Sequence, residues 1–183
     1  MTLRKIARMG HPVLLARAAE VDDPASPEMR RLAADMIETM RDSQGIGIAA
    51  PQVHEGVRLI IAQPPPLAGA EPPEPMVLFN PELTPAGEER DSAFEGCLSI
   101  PGLRGLVPRW RRVAWRAVDS EGAPVGGVAE GLFARILQHE VDHLDGILFT
   151  MRMTDLRQLA FERELELLKS WHPEPAIDEE RAV

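Results

Sequence analysis

The chain has 183 residues, 44% apolar and 27% charged, which suits one globular domain with a core of ordinary size. Its net charge of −9 argues against non-specific nucleic-acid binding, which needs a basic surface, so no direct nucleic-acid recognition is expected. A single cysteine, Cys97, excludes an internal disulfide framework; with no signal-peptide pattern and no long apolar stretch, a soluble protein of a reducing cytoplasm with no membrane partner is expected.

Ser26 to Ser43 reads as the first helix. Ser26 is a good N-cap, Pro27 suits the first helical position, and Met29, Leu32, Ala33, Met36, Ile37 and Met40 recur on one face. Gly45 and Gly47 end it. Val57 to Ala62 is a short apolar run of strand type. The stretch Gln63 to Pro75 carries six prolines and reads as an exposed loop. Met76 to Asn80 is another strand, and Arg111 to Asp119 alternates, with Val113, Trp115 and Ala117 on one face. Ser120-Glu121-Gly122 marks a hairpin turn into Val125 to Val128.

A second helix is expected from Glu130 to Leu144, with Gly146 just past its end. A third is expected from Thr154 to Ser170, with Leu156, Leu159, Ala160 and Leu167 on its apolar side. Residues 171–183 are proline-rich and acidic and read as a flexible tail; residues 1–170 form the expected domain. Strands in the middle and helices near both ends give an α+β fold, with mixed or antiparallel strands packed around a central helix.

That central helix carries Gln138-His139-Glu140-Val141-Asp142-His143. Residues four apart share a helix face, so His139 and His143 can bind one metal with Glu140 beside it as general base. An ordinary helix with two half-exposed histidines would carry the same letters. A stable catalytic site usually needs a third protein ligand. In metzincin proteases this is a His six residues beyond the second, but position 149 is Phe149, which cannot ligate. In thermolysin-like proteases it is a Glu some twenty residues on, where Glu162, Glu164 and Glu166 stand. These three also fit the solvated face of the last helix, paired with Arg163 and Lys169. The remaining candidate is Cys97, in Glu95-Gly96-Cys97-Leu98-Ser99.

Three separated motifs resemble those of the peptide deformylase family. They are Gly45-Ile46-Gly47-Ile48-Ala49-Ala50-Pro51-Gln52, then Glu95-Gly96-Cys97-Leu98-Ser99, then Gln138-His139-Glu140-Val141-Asp142-His143. The likeness runs from about residue 3 to residue 170 and includes Gly10 to Leu14, Asn80-Pro81 and Arg104 to Arg109. It implies hydrolysis of the formyl group from the amino-terminal methionine of nascent chains. It further implies that Cys97, His139 and His143 hold one ion per chain, with water in the fourth position and Glu140 moving its proton. The native ion implied is Fe(II), and the donor set also suits zinc, nickel or cobalt.

Oxyanion donors implied by the resemblance are the Gln52 side-chain amide and the Leu98 backbone N–H. Gly45, Ile46 and Gly47 are expected to let the substrate backbone lie close, glycine permitting close approach and positive φ. Gly96 is expected to pair with the peptide. Leu132, Ile136 and the stem of Arg135 would line the methionine pocket, with Arg104 near the peptide. In this chain Met151 stands where relatives often carry an acidic residue, tyrosine is absent, and the proline loop is placed beside the substrate groove. Some relatives dock on the ribosome through their last helix, so ribosome association is among the expectations, although the acidic balance here works against contact with RNA. No apolar seam suggests oligomerisation, so a monomer is expected. Competing readings are a thermolysin-like endoprotease and a non-catalytic metal-binding member of the family.

Overall fold

A computed structural model describes residues 2–66 and 69–170. The elements run α1 (Pro27–Asp42), β1 (Gly47–Ala49), β2 (Leu59–Ala62), β3 (Met76–Pro85), β4 (Arg90–Cys97), β5 (Ile100–Trp110), β6 (Arg112–Val118) and β7 (Pro124–Glu130). After them come α2 (Gly131–Leu144), α3 (Phe149–Arg152), β8 (Leu159–Phe161) and α4 (Leu165–Ser170). The strands form two antiparallel sheets, ordered β1-β2-β3-β6-β7 and β4-β5-β8. This is the α+β architecture expected, with α2 at its centre.

The short strand β2 explains how the first sheet is held. All four residues of Leu59-Ile60-Ile61-Ala62 are buried. Alternate side chains point to opposite faces. Ile60 and Ala62 pack with Ala134, Leu137 and Leu144 of α2, while Leu59 and Ile61 pack with Leu32, Met36 and Met40 of α1. A strand covered on both faces has no polar side to show, hence the unbroken apolar run. Burying one such side chain contributes roughly 1.5–3 kcal/mol.

Cap chemistry fixes the two long helices. The Ser26 hydroxyl accepts from the Met29 N–H at 3.4 Å, with Pro27 in the first turn. Past α2, Gly146 takes φ 72°, and a Cβ there would lie 2.6 Å from the Leu15 carbonyl oxygen. Both the turn and the crossing chain therefore require glycine. Between β6 and β7, the Asp119 carboxylate accepts from the N–H groups of Glu121 and Ala123, and Gly122 adopts φ 85°, making the expected turn.

Three expectations are corrected. The strand placed at Met76 to Asn80 continues to Pro85, because Asn80 at φ 48° makes a bulge that lets Pro81 sit in the strand without breaking the pairing beyond it. Strands β4 and β5, absent from the sequence-based expectations, pair along their length from Arg90–Trp110 to Cys97–Ile100. The single helix expected from Thr154 to Ser170 is instead a 3-10 turn, strand β8, a second 3-10 turn and the short α4. Leu159, Ala160 and Phe161 pair with Gly105, Arg104 and Leu103, so their backbone groups bond to β5 rather than along a helix. The anticipated apolar side is not buried: Leu156 and Leu167 are both 69% exposed. Asp155 caps the first turn, its carboxylate accepting from the Arg157 N–H. The tail expected at 171–183 lies outside the described residues.

Candidate metal centre and substrate groove

Helix α2 lies against the sheet of β4 and β5, and two devices lock them together. The first is Gln138, whose side-chain amide both accepts from the Trp110 N–H and donates to the Trp110 carbonyl of β5, at 3.0 and 2.8 Å. The second is a buried cluster of charges. Glu95 of β4 accepts from Arg109 at 2.9 Å through each of its oxygens and from Arg135 at 2.8 Å. Arg109 also pairs with Asp142 of α2, and Arg152 closes on the same carboxylate at 2.6 Å. Every buried charge in the cluster has a partner of opposite sign, as burial requires.

This framework brings Cys97, His139 and His143 together. One ligand atom from each lies within 4.8 Å of the others, and among the described residues this is the set of metal-binding type that is found. Cys97 Sγ is 3.2 Å from His143 Nε2. His139 Nδ1 donates to Glu95 at 2.9 Å, which commits that nitrogen and leaves Nε2 for an ion. Phe149, whose identity ruled out a third histidine, stacks on the His139 ring with centroids 6.3 Å apart. Glu162, Glu164 and Glu166 pair with Arg104, Arg163 and Lys169 respectively, and none of them belongs to that ligand set, so the thermolysin-like reading is not supported.

Glu140 is buried beside these groups, and its Oε2 has no hydrogen-bond partner among the protein atoms. Two imidazoles, a thiol and an unpartnered carboxylate oxygen fit a divalent ion with one open coordination position. Burial pushes the Glu140 carboxyl up to about 7, against the opposing pull of His139. Burial would push Glu95 up as well, but hydrogen bonds from His139 and Arg109 outweigh it and hold that carboxyl at about 2. Burial opposes charge on His139, yet Cys97 and Glu95 raise its pKa well above the usual value. Burial and the nearby His139 drive His143 well below it.

Gln52 sits in a 3-10 turn after β1. Its Oε1 accepts from the Ala49 N–H at 2.8 Å, which aims Nε2 at Cys97 Sγ (3.4 Å) and Ser99 Oγ (3.2 Å). The Leu98 carbonyl is held by Arg8 from the amino-terminal segment. A cleft of about 570 Å³ opens over this centre. Among its lining residues are Gly45, Ile46, Gly47, Gln52, Gly96, Cys97, Leu98, Arg104, Leu132, Arg135, Ile136, His139 and Glu140. His143 lies beneath the cleft floor and is not among them.

Gly45 and Gly47 both line the cleft, and neither has positive φ. A Cβ on Gly47 would lie 2.8 Å from Glu140 Cδ and closer still to Oε1, so this glycine makes room for the carboxylate of α2. Arg135 is also recast: it lines the cleft, but its guanidinium is committed to Glu95, Asp91 and the Val107 carbonyl. Leu132 is 52% exposed and opens on the cleft. None of the described residues of the proline loop lines it, and Met151 borders a different cavity, behind α2.

The family model described as polypeptide deformylase matches residues 3–159. The chain belongs to the polypeptide deformylase family. It is 43% identical to peptide deformylase 1 of Nitrosomonas europaea over 162 residues, covering 87% of this chain and 92% of that protein. Its fold superposes on the Met-Ala-Ser-bound class I type b peptide deformylase of Acinetobacter baumannii with a TM-score of 0.76 and 39% identity, over 83% of this chain and 99% of the other. The actinonin complex of the Ehrlichia chaffeensis peptide deformylase gives a TM-score of 0.79 at 32% identity, over 92% of this chain and 97% of that one. Among the described residues no helix is long and apolar enough to cross a membrane.

Sequence reasoning assigned no role to Glu95, Arg109, Asp142 or Arg152, which orient the ligands. The available signal was charge embedded in apolar surroundings: Glu95 beside Phe94, Arg109 between Pro108 and Trp110, Asp142 between the two histidine turns. Such residues are rarely buried unless paired.

Proposed function

We propose that this chain removes the formyl group from formyl-methionyl peptides, with Cys97, His139 and His143 holding Fe(II) and Glu140 managing the proton. The observation that carries this is the convergence of one thiol and two imidazoles beside a buried carboxylate whose Oε2 lacks a partner. The family resemblance favours Fe(II) over zinc, nickel or cobalt. A divalent ion bound there supplies Lewis acidity, bringing water toward deprotonation at neutral pH.

Glu140 Oε2 accepts the proton of the attacking water and then delivers it to the departing amine, acting as base and afterwards as acid. The formyl oxygen, carrying charge in the tetrahedral state, takes hydrogen bonds from Gln52 Nε2 and the Leu98 N–H. Gln52 is preorganised for this because its oxygen is fixed on Ala49. The Ile46 and Gly96 backbones flank the peptide. Leu132 and Ile136 present apolar surface one helical turn before His139, in keeping with a methionine side chain. That Met-Ala-Ser occupies a relative at 39% identity supports this orientation of substrate class. Residues 1–170 serve as the catalytic unit, in the cytoplasm and as a monomer.

Formate release from formyl-Met-Ala-Ser, by protein loaded anaerobically with Fe(II) or Ni(II) and analysed for metal in the same sample, tests the reading. Cys97→Ala should abolish metal retention and turnover, whereas Glu162→Gln, Glu164→Gln and Glu166→Gln should keep both. An active metal-loaded Cys97→Ala protein would refute it, and a Glu140→Ala protein equal to wild type would leave only a binding role.

A further inference from the structure

Arg104 and Glu162 lie side by side on one wall of the cleft, where β8 pairs with β5. Arg104 projects from β5, and its Nη2 and Nε both reach Glu162 Oε1, at 2.7 and 3.2 Å. Glu162 begins the 3-10 turn after β8, and β8 is held on β5 by the pairing of Ala160 with Arg104 itself. The guanidinium lies against Gly96, since a Cβ there would come 2.6 Å from Arg104 Cζ and closer still to Nη1. Gly96 adjoins Cys97. A peptide whose first residue sits at the metal and whose backbone runs along Gly96 therefore meets this pair with its next side chains. Both partners are partly open to solvent, at 39% and 59% of their side-chain surface.

We propose that Glu162 is a specificity residue: its carboxylate occupies the Arg104 guanidinium and sets the cleft against acidic side chains after the methionine. This rests on the deformylase reading of the cleft. With Glu162 in place, Arg104 offers no free charge to a peptide carboxylate, and Glu162 itself repels one. A lysine or arginine there instead meets the outer oxygen of Glu162. Neither group reaches the reacting atoms, so the pair acts on binding and KM and leaves kcat alone. Its removal frees one charge and so inverts the preference.

The experiment measures dissociation constants of the product peptides Met-Ala-Asp and Met-Ala-Lys by calorimetry on the metal-loaded protein. Glu162→Gln should shift the ratio of the two constants about fivefold in favour of Met-Ala-Asp, the scale of one exposed charge contact. Arg104→Gln should shift it the other way, and Glu164→Gln, outside the cleft, should leave it unchanged. A shift shrinking with added salt supports the proposal. A change of equal size for both peptides, as loosening of β8 would cause, overturns it, as does an unchanged ratio. Formate release from formyl-Met-Ala-Ser is read on the same samples: its absence in wild type would refute the reaction, while the binding ratio still judges the charge preference.

Discussion

Gly47→Ala isolates the contact between β1 and the carboxylate of α2. Gly47 has an ordinary φ, so alanine brings no backbone strain, and the new methyl meets the Glu140 side chain at Cδ (2.8 Å) and Cγ (3.0 Å). Cδ must retreat by ~0.6 Å or more to reach ordinary van der Waals separation, and Oε1 by about 1 Å. A misplacement of about 1 Å at a reacting group costs on the order of 100-fold. General base catalysis is worth ~10²–10⁴-fold in all, so a fall of kcat by about 100-fold is expected. Overpacking costs about 1–3 kcal/mol, a lowering of Tm by roughly 2–12 °C in a chain this size. The assay is steady-state formate release with thermal unfolding and metal content on the same preparation. Gly47→Ala added to Glu140→Ala should cost almost nothing further, because the group it displaces is already gone. A kcat within about threefold of wild type, or a rise in KM alone, would refute this reasoning and return Gly47 to a substrate-approach role.

Gln52→Ala should retain metal and lower kcat by about 10²–10³, measured in the formate assay, by loss of one oxyanion donor. Arg109→Ala leaves Glu95 and Asp142 buried beside one cation fewer; it should cost about 3–5 kcal/mol in urea unfolding and weaken metal affinity roughly 10- to 100-fold through the Glu95–His139 bond. Asp35 is held below its usual pKa by the Thr2 N–H, against the cost of burial and with help from Arg4. Its stabilisation is therefore complete above the unfolded pKa and is lost as pH falls through the folded one. Asp35→Asn should cost about 1 kcal/mol at pH 7, and the gap from wild type in unfolding experiments should narrow below about pH 4.

Local rules carried the two long helices and the shared face of His139 and His143. Ser26-Pro27 and the apolar spacing from Met29 to Met40 specify α1 without help from elsewhere, because caps and periodicity act within a few residues. His139 and His143 had to share a face once α2 formed. Strands β4 and β5 left little mark in the sequence, since Arg90 to Trp110 mixes charge, glycine and proline. Their pairing is long-range and their buried charges, Glu95 and Arg109, look like surface residues until Asp142 and His139 are placed beside them. The carboxy-terminal segment misled for the same reason. Leu156, Leu159 and Ala160 have a spacing compatible with a helix, but the free edge of β5 offers the backbone of Leu159 to Phe161 a better set of partners.

Sequence by itself determined which groups are available: one sulfur, the two imidazoles and Glu140 on a single helix turn, and a glutamine behind a glycine-rich strand. Only the tertiary structure decided that Cys97, forty-odd residues away, reaches the histidines, that His139 is tuned by Glu95, and that Gly47 abuts the Glu140 side chain. Spacing along a helix is fixed by its own hydrogen bonds, whereas approach between β4 and α2 depends on the sheets and buried ion pairs that hold them at contact distance.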